Sequence, residues 1–318
     1  ALAKTDEGFI ALQEHENSFI QELCAVRLGT KSTIEESRIE RFIGIGSRNK
    51  TKLPIPLKYY GAHTGRWSGS DKVNFQNLPS RDKKKKALKN AILPPDGEVI
   101  MNVDSSQIEA RILVWLAGQQ EVVDQFKNGE DVYSNFASVV YEKPVTKENP
   151  VERFVGKTCT LGLGYGTGWT KLQHTLKTSP PGADLPGQGK CVLVTPKGLL
   201  LPNGLYIYYP ELHWDTSESR GKYMYKSRRG RISIWGGSVV ENIVQALARI
   251  VVGEQMVAIA KKLKPVLTVH DAIICTAPKE QAQEALDFMM AEMSKAPTWA
   301  EGLPITCEGA YADTYGDC

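Results

Sequence analysis

The stretch GEVIMNVDSSQIEAR, residues 97–111, joins an apolar run to an aspartate and then to an amphipathic segment. The apolar run predicts a buried strand, and the residues after it predict a helix that Gly118 closes. Asp104 lies at the end of this strand, where a rigid backbone holds its carboxylate at an edge. Such a placement suits a metal-binding carboxylate, and it equally suits a helix N-cap. Glu109 follows five residues later and can point back toward Asp104, or simply favour the helix N-terminus.

A second aspartate lies in VLTVHDAIICTA, residues 266–277, which is nearly all apolar and β-branched and predicts one buried strand. A charge inside such a run is costly unless a partner binds it. Asp104 and Asp271 are 167 residues apart, so only the fold can bring them together. We predict that their strands pair in one antiparallel sheet. Adjacent carboxylates repel, a divalent cation removes that cost, and oxygen ligands without a His/Cys cluster favour Mg²⁺.

Residues 152–166, ERFVGKTCTLGLGYG, predict a helix on which Arg153, Lys157, Leu161 and Tyr165 recur every four residues. Two cations at this spacing can grip a polyphosphate along its length. The alternative is an ordinary helix with exposed Arg and Lys and a Gly-rich exit.

Basic residues concentrate in two segments of the chain. His63–Asn90 carries eight Lys/Arg and two Asp, a local net charge of +6, and Arg220–Arg231 carries six basic residues and no acid. The loop HTGRWSGSDKVNFQNLPSR, residues 63–81, adds Arg, Asn and Gln, which suit contacts to phosphates and base edges. A polyanion partner is one interpretation, and a generic polar loop with solvated basic faces is the other.

The 318 residues, with 42% hydrophobic and 24% charged content, are typical of a globular protein with two or three lobes. Six cysteines without a C-x-x-C pair argue against a zinc site or a disulfide framework and favour a reducing compartment. The sequence has no apolar run of 18 residues and no signal peptide, so we expect no membrane span. The chain does not begin with Met, and we expect it to belong to a longer protein.

The remaining pattern predicts short helices before residue 50, a hairpin at LPNGLYIYYP, helices over 238–263 and 279–294, and a last strand near Ile305.

Taken in order, these segments resemble family A DNA polymerases, the bacterial DNA polymerase I type, and most nearly the versions carried by bacteriophages. VDSSQIEAR resembles the first palm motif of the family, ERFVGKTCTLGLGYG its fingers helix and TVHDA its third motif. TGRWSG and QNLPSR match the stretch before the first motif, and ENIVQALAR matches the palm helix before the third. The resemblance implies an α+β protein with a right-hand polymerase fold: an antiparallel-sheet palm, helical fingers and a partial helical thumb. It also implies that the apolar residues on both sides of Asp271 form a hairpin in the palm, which makes Asp271 face Asp104 across the metal ions.

The resemblance also implies residue roles. Asp104, Asp271 and the backbone carbonyl of Ser105 would hold two Mg²⁺ ions, for which Mn²⁺ could substitute, and Lys157 would join the two aspartates in catalysis. Contacts to the incoming nucleotide are implied for Arg153, Lys157, Leu161, Tyr165, Glu109 and Gln107. Contacts to primer-template DNA are implied for Arg66, Gln76, Asn77, Arg81, Asn242, Gln245 and His270.

By the same resemblance, residues 1–60 form a partial thumb, residues 61–118 and 231–318 the two parts of the palm, and residues 119–230 the fingers. The implied function is template-directed addition of dNTPs to a primer 3′-hydroxyl in phage DNA replication, in the host cell cytoplasm. The implied partners are primer-template DNA, dNTPs, and a processivity factor or a replicative helicase, without a membrane.

The sequence departs from the family pattern at several positions. Ala272 stands where the family often has Glu, Leu161 replaces an aromatic residue, Tyr133 replaces a His, and residues 174–190 look too short for the helices expected there. A single-subunit RNA polymerase also fits the pattern, although Glu109 beneath the sugar argues against it. A catalytically silent DNA-binding remnant and a metal nuclease stay open as well.

Overall fold

The structure of the protein is a computed structural model that describes residues 7–29, 34–48, 52–70, 74–78, 86–167, 191–217, 221–228 and 230–318. The chain divides into two compact units, Ala1–Ile55 and Pro56–Cys318.

The first unit contains three helices, as the sequence predicts: α1 (Glu7–Gln13), α2 (Ser18–Gly29) and α3 (Ile34–Arg48). Asn17 precedes α2, and its side-chain oxygen accepts a hydrogen bond of 2.9 Å from the backbone N–H of Phe19. This contact satisfies one of the free donors at the helix start. The side chains of Phe19, Leu23 and Val26 lie at helical spacing along α2 and are exposed.

The second unit holds the other elements. The helices are α4 (Ala87–Asn90), α5 (Ile108–Leu116), α6 (Gln120–Lys127), α7 (Val132–Tyr141), α8 (Pro150–Thr167), α9 (Gly236–Ile259) and α10 (Ala282–Met293). The strands are β1 (Leu57–Lys58), β2 (Ser68–Gly69), β3 (Glu98–Ser105), β4 (Leu193–Thr195), β5 (Gly198–Leu200), β6 (Tyr206–Ile207), β7 (His213–Asp215), β8 (Lys222–Ser227), β9 (Gly230–Ile234), β10 (Lys264–Val269), β11 (Ala272–Pro278) and β12 (Cys307–Ala312).

The largest sheet is antiparallel, with the strand order β10-β11-β3-β12. Its central strand β3 presents Val99, Met101 and Val103 to a hydrophobic cluster that includes Leu286 and Met289 of α10. Because successive strand residues point to opposite faces, the even-numbered residues of β3 point away from this helix. The register therefore places Asp104 on the face that α10 does not cover.

A second hydrophobic cluster joins α5 and α9. It includes Ile112 and Trp115 of α5 and Leu247 and Val251 of α9, all of which are buried. The helix α9 is long and apolar enough to cross a membrane by length and composition alone. Its apolar side chains are used in this core, and a buried core helix has the same composition.

Between α8 and α9, the described residues form two three-stranded antiparallel sheets, β4-β5-β6 and β7-β8-β9. The LPNG hairpin predicted from the sequence is confirmed, because Leu200 of β5 pairs with Tyr206 of β6. The rest of this β structure falls within residues 119–230, for which we predicted helices. The short segment 174–190 lies outside the described residues.

Helices α7 and α8 approach each other closely at Gly156. A Cβ atom built at Gly156 would lie 2.1 Å from the backbone oxygen of Tyr133 and 3.0 Å from Cβ of Ala137. Only a residue without a side chain fits between these helices, so the glycine sets their separation.

We expect Gly156→Ala to lower the free energy of unfolding by about 1–3 kcal/mol, because the added methyl group forces the two backbones apart. The control is Gly44→Ala in α3, where nothing lies within 4 Å of an added Cβ. This change should be neutral or stabilising by up to about 1 kcal/mol. Urea unfolding of both variants measures the difference, and equal effects would contradict the close approach.

Candidate active site

Asp271 lies in a two-residue turn, so the stretch 266–277 is the hairpin implied by the family resemblance and not the single strand that its composition suggests. Val269 pairs with Ala272 across this hairpin, so His270 and Asp271 form its tip. His270 has a left-handed backbone with φ of 55°, a conformation that costs a non-glycine residue free energy. The charge of Asp271 therefore lies at an end of the sheet and not in the middle of a buried strand.

The tip of this hairpin lies against the end of β3. The backbone N–H of Ser105 donates a hydrogen bond of 3.1 Å to the carbonyl oxygen of Asp271, and Asp104 pairs with Ala272 in the antiparallel register. The predicted pairing of the two aspartate-bearing segments is thus observed. Asp104 and Asp271, far apart in sequence, are brought together at one end of the sheet.

Asp104 has a third neighbour, Glu308 of β12, which pairs with it on its other side. Although Asp104 is accessible to solvent, the surrounding protein reduces its hydration. This desolvation, with the charges of Asp271 and Glu308, raises the pKa of Asp104 to about 7. Burial also raises the pKa of Asp271, against the lowering influence of its own backbone N–H, His270 and Arg66. In the folded protein, both carboxylates therefore resist ionisation.

Arg66 and Glu109 form an ion pair beside these aspartates, with Nη2 of Arg66 on Oε1 of Glu109. Arg66 comes from the turn before β2, where the N–H of Ala62 donates to the Arg66 carbonyl over 3.1 Å. The charges of both Arg66 and Glu109 act on the pKa of Asp271. Glu109 thus meets a cation from the predicted DNA-binding loop, a partner that we did not predict for it.

The turn from β3 into α5 depends on a residue that sequence reasoning missed. Arg111 is buried, and its Nε donates to the carbonyl of Ser106 over 2.7 Å while its Nη1 donates to the carbonyl of Pro304 over 3.3 Å. Its guanidinium also lies 4.5 Å from the centre of the Phe126 ring. The available signal was a cation on the apolar face of a helix. The same turn places Gln107 in a left-handed conformation with φ of 55° at the start of α5.

The predicted polyphosphate-binding helix is α8. Arg153 makes two hydrogen bonds to Asp131, Nε to Oδ2 at 2.6 Å and Nη2 to Oδ1 at 3.2 Å. Lys157 is exposed, and the described part of the chain gives it no ion-pair partner. Leu161 and Tyr165 are on the same helix, but their side chains lie outside the described residues.

The other predicted DNA contacts are placed as follows. Gln76 is buried and donates to the carbonyl of Thr268 over 3.2 Å, which uses its amide within the protein. Asn77, beside it, is exposed. On α9, Asn242 donates to the hydroxyl of Tyr209 over 3.0 Å. Gln245 donates over 3.1 Å to the carboxylate of Glu241, four residues earlier on the same helix. Arg81 lies outside the described residues.

The oxygen donors of this site fit a hard divalent cation. Asp104 and Asp271 supply two partly desolvated carboxylates whose mutual repulsion a cation would relieve. Among the described residues, no group of three or more His, Cys, Asp or Glu side chains is placed to hold a metal ion. Mg²⁺ commonly takes one or two protein carboxylates and completes its shell with water and substrate phosphates. The pair therefore suits a cation that arrives together with a phosphate ligand.

Comparison with known proteins gives an independent assignment. The family model for DNA polymerase family A matches residues 3–185. The DNA polymerase of Bacillus phage SP02 is 28% identical over 339 residues, which covers 81% of this chain and 52% of the phage protein. The thermostable DNA polymerase I of Thermus aquaticus is 33% identical over 113 residues, which covers 36% of this chain and 14% of that protein.

A solved structure shares the fold. The POL domain of Pol1 from M. smegmatis, solved in complex with a DNA primer-template and dNTP, matches with a TM-score of 0.69 and 19% identity over 98% of this chain and 56% of that one. The fold is therefore that of a polymerase domain, and the predicted α+β class is confirmed. Since the family model matches more than half of the residues, the chain belongs to DNA polymerase family A. It spans about half the length of the phage relative.

The raised pKa of Asp104 has a consequence for stability. The ordinary value for an aspartate is 3.8 and the folded value here is about 7, so the folded state holds this proton more tightly than the unfolded chain. Its stabilising contribution is complete below pH 4 and is lost as the pH rises through 7. We expect Asp104→Asn, without divalent cations, to raise Tm by about 2–4 °C at pH 8 and by less at pH 5.

Thermal unfolding in EDTA at both pH values measures this effect. Asp124→Asn, at an exposed position of α6, serves as a control for loss of an aspartate. A Tm increase of equal size at pH 5 and pH 8 would contradict the assigned pKa.

Proposed function

We propose that this chain is the polymerase portion of a template-directed DNA polymerase, which adds dNTPs to a primer 3′-hydroxyl by phosphoryl transfer. The observation that carries the proposal is the meeting of Asp104 and Asp271 at the end of β3. It agrees with the family membership of the chain and with the name of its phage relative. We further propose a role in phage DNA replication in the host cytoplasm. A processivity factor or a replicative helicase would be the further partners.

The proposed reaction assigns the metal ions to two carboxylates and one backbone carbonyl. Asp104 and Asp271, with the backbone carbonyl of Ser105, would hold two Mg²⁺ ions. Two such ions, when bound, would supply activation of the attacking hydroxyl and neutralisation of the charge on the leaving pyrophosphate. The protein then has to position the reactants and supply charge, since phosphoryl transfer needs little covalent chemistry from side chains.

Arg153 and Lys157 lie four residues apart on α8, and they would present two cations to the triphosphate. The exposed amine of Lys157 is free to donate a proton to the leaving pyrophosphate. Tyr165, further along α8, would stack near the template base, and Leu161 would lie beside the sugar. Gln107, in the turn before α5, would contact the nucleotide.

Glu109 would lie beneath the sugar, where its carboxylate excludes a 2′-hydroxyl. Its pairing with Arg66 holds this carboxylate in place. Arg66, with Gln245 of α9, would contact the minor-groove side of the terminal base pair, and His270 would position the primer end. The remaining DNA contacts proposed are Gln76, Asn77, Arg81 and Asn242. In this assignment residues 1–60 serve as a partial thumb, 61–118 and 231–318 as the palm, and 119–230 as the fingers.

Primer extension with Mg²⁺ and either dNTPs or rNTPs tests the function. We expect extension with dNTPs, and we expect Asp104→Asn and Asp271→Asn each to lower its rate at least about a hundredfold because each removes a charge that faces the reaction. Asp124→Asn, on the surface of α6, is the matched control and should retain the rate. Primer-independent RNA synthesis would replace this proposal with an RNA polymerase. Unchanged activities in both active-site variants would indicate a DNA-binding remnant.

Lys157→Ala tests the proton donor. We expect the rate of incorporation to fall about a hundredfold or more, with a smaller change in primer-template affinity. Lys147→Ala removes another exposed cation, from the loop before α8, and should change neither quantity. Single-turnover kinetics measures the rate, and a DNA-binding titration measures the affinity. Equal losses of rate and of primer-template affinity would contradict the assigned role.

Ala272→Glu tests whether a third carboxylate is needed. The new side chain would pair with Asp104 from β11, while Glu308 pairs with Asp104 from β12 on the other side. We expect less than about a threefold change in rate, together with a lower Tm in EDTA from the added like charge. A large gain in rate would show that the position requires a carboxylate that this chain lacks.

A further inference from the structure

Arg153 is held by its partner in a defined orientation. Asp131 takes the Nε–Nη2 edge of the guanidinium through both carboxylate oxygens, at 2.6 Å and 3.2 Å. Bidentate pairing of this kind fixes direction as well as distance. Nη1 of Arg153 takes no part in this contact.

Asp131 is itself anchored, so it acts as a fixed support. It is the N-cap residue of α7, where its Oδ1 accepts from the backbone N–H of Ser134 at 3.4 Å and its Oδ2 accepts from the Ser134 hydroxyl at 2.8 Å. Burial would raise the pKa of Asp131, but the hydrogen bonds from Arg153 and Ser134 outweigh it and lower the pKa. The carboxylate therefore stays charged at neutral pH.

Arg153 is the more exposed member of this ion pair. The Asp131 side chain is 16% exposed and the Arg153 side chain 29%. The guanidinium also lies 5.6 Å from the ring centre of Tyr133, and the close approach of α7 and α8 at Gly156 keeps the two helices in register. The more buried carboxylate thus supports the guanidinium, while part of the Arg153 side chain stays accessible to solvent.

We propose that Asp131 is a positioning residue that holds the guanidinium of Arg153 ready to receive the triphosphate of the incoming nucleotide. The inference rests on the proposed function. It goes beyond that function because it assigns a role to Asp131, which would act on the triphosphate through Arg153 and not by direct contact. Without Asp131, Arg153 is free to sample many rotamers, and ordering it again at each binding event costs affinity.

A competing carboxylate would have the opposite effect. If Asp131 merely occupied Arg153, its removal would free the cation and strengthen triphosphate binding. If Asp131 served only as a helix cap, its removal would lower stability without a specific effect on nucleotide affinity.

The experiment compares Asp131→Asn with Ser134→Ala in single-nucleotide incorporation. Asn keeps the ability to cap α7 but loses the charge, whereas Ser134→Ala removes a hydrogen bond of the same cap and leaves the Arg153 pair intact. We expect Asp131→Asn to raise KM for dNTP about tenfold, with kcat and primer-template affinity changed less than about threefold. Ser134→Ala should lower Tm and change KM less than about threefold, because the backbone N–H of residue 134 and the two bonds from Arg153 still hold Asp131.

A double-variant cycle supplies the decisive comparison. In an Arg153→Lys background, where the bidentate contact cannot form, Asp131→Asn should change KM by less than about threefold. An unchanged or lowered KM in Asp131→Asn alone would overturn the inference, as would an equal rise in Ser134→Ala.

The unaltered chain is measured first. If it incorporates no dNTP, the proposed function fails and takes the inference with it. If it does incorporate dNTP, any failure concerns Asp131 alone.

Discussion

The antiparallel register of β3 and β11 holds Ala272 opposite Asp104 and Pro278 opposite Glu98. Because side chains alternate between the faces of a sheet, a slip of one residue would turn Asp104 toward the face covered by α10. An ionised carboxylate placed there would be desolvated without a partner. The apolar residues that face α10 thus fix the side on which Asp104 points. The same register brings the turn at Asp271 to the end of β3.

Electrostatic pairing distinguishes the cations of the candidate site. Arg66 is paired with Glu109 and Arg153 with Asp131, so each guanidinium has a fixed direction. Lys157 has an exposed amine without an ion-pair partner in the described part of the chain. The difference matches the chemistry of the two side chains, since a planar fork suits oriented contacts and a flexible ammonium suits proton transfer.

Much of this arrangement could be predicted from the sequence, because it depends on periodicity and local signals. The apolar run over β3, the helical spacing of α8 and the Asn-Gly turn before β6 each report their own structure. Periodicity alone does not reveal the turn at His270, since apolar residues lie on both sides and neither turn residue is Gly. The hairpin was predicted from the family resemblance. The contacts of Arg111 with Pro304 and of Arg153 with Asp131 were also not predicted, because these partners lie 193 and 22 residues away in the sequence.

The small sheets between α8 and α9 escaped prediction for a related reason. Their strands are short, and strand pairing depends on contacts that local sequence does not contain. Outside the LPNG turn, residues 191–234 therefore carried little signal of their own.

The two aspartates at the end of β3 connect folding, protonation and ligand binding in one thermodynamic cycle. Because the folded state raises the pKa of Asp104 to about 7, part of its population carries a proton at neutral pH. A cation that binds the carboxylate must displace this proton, so the affinity for the cation rises with pH as proton release becomes easier. Repulsion between the carboxylates lowers the stability of the fold when no cation is bound. A bound cation removes this repulsion, so its binding stabilises the folded state.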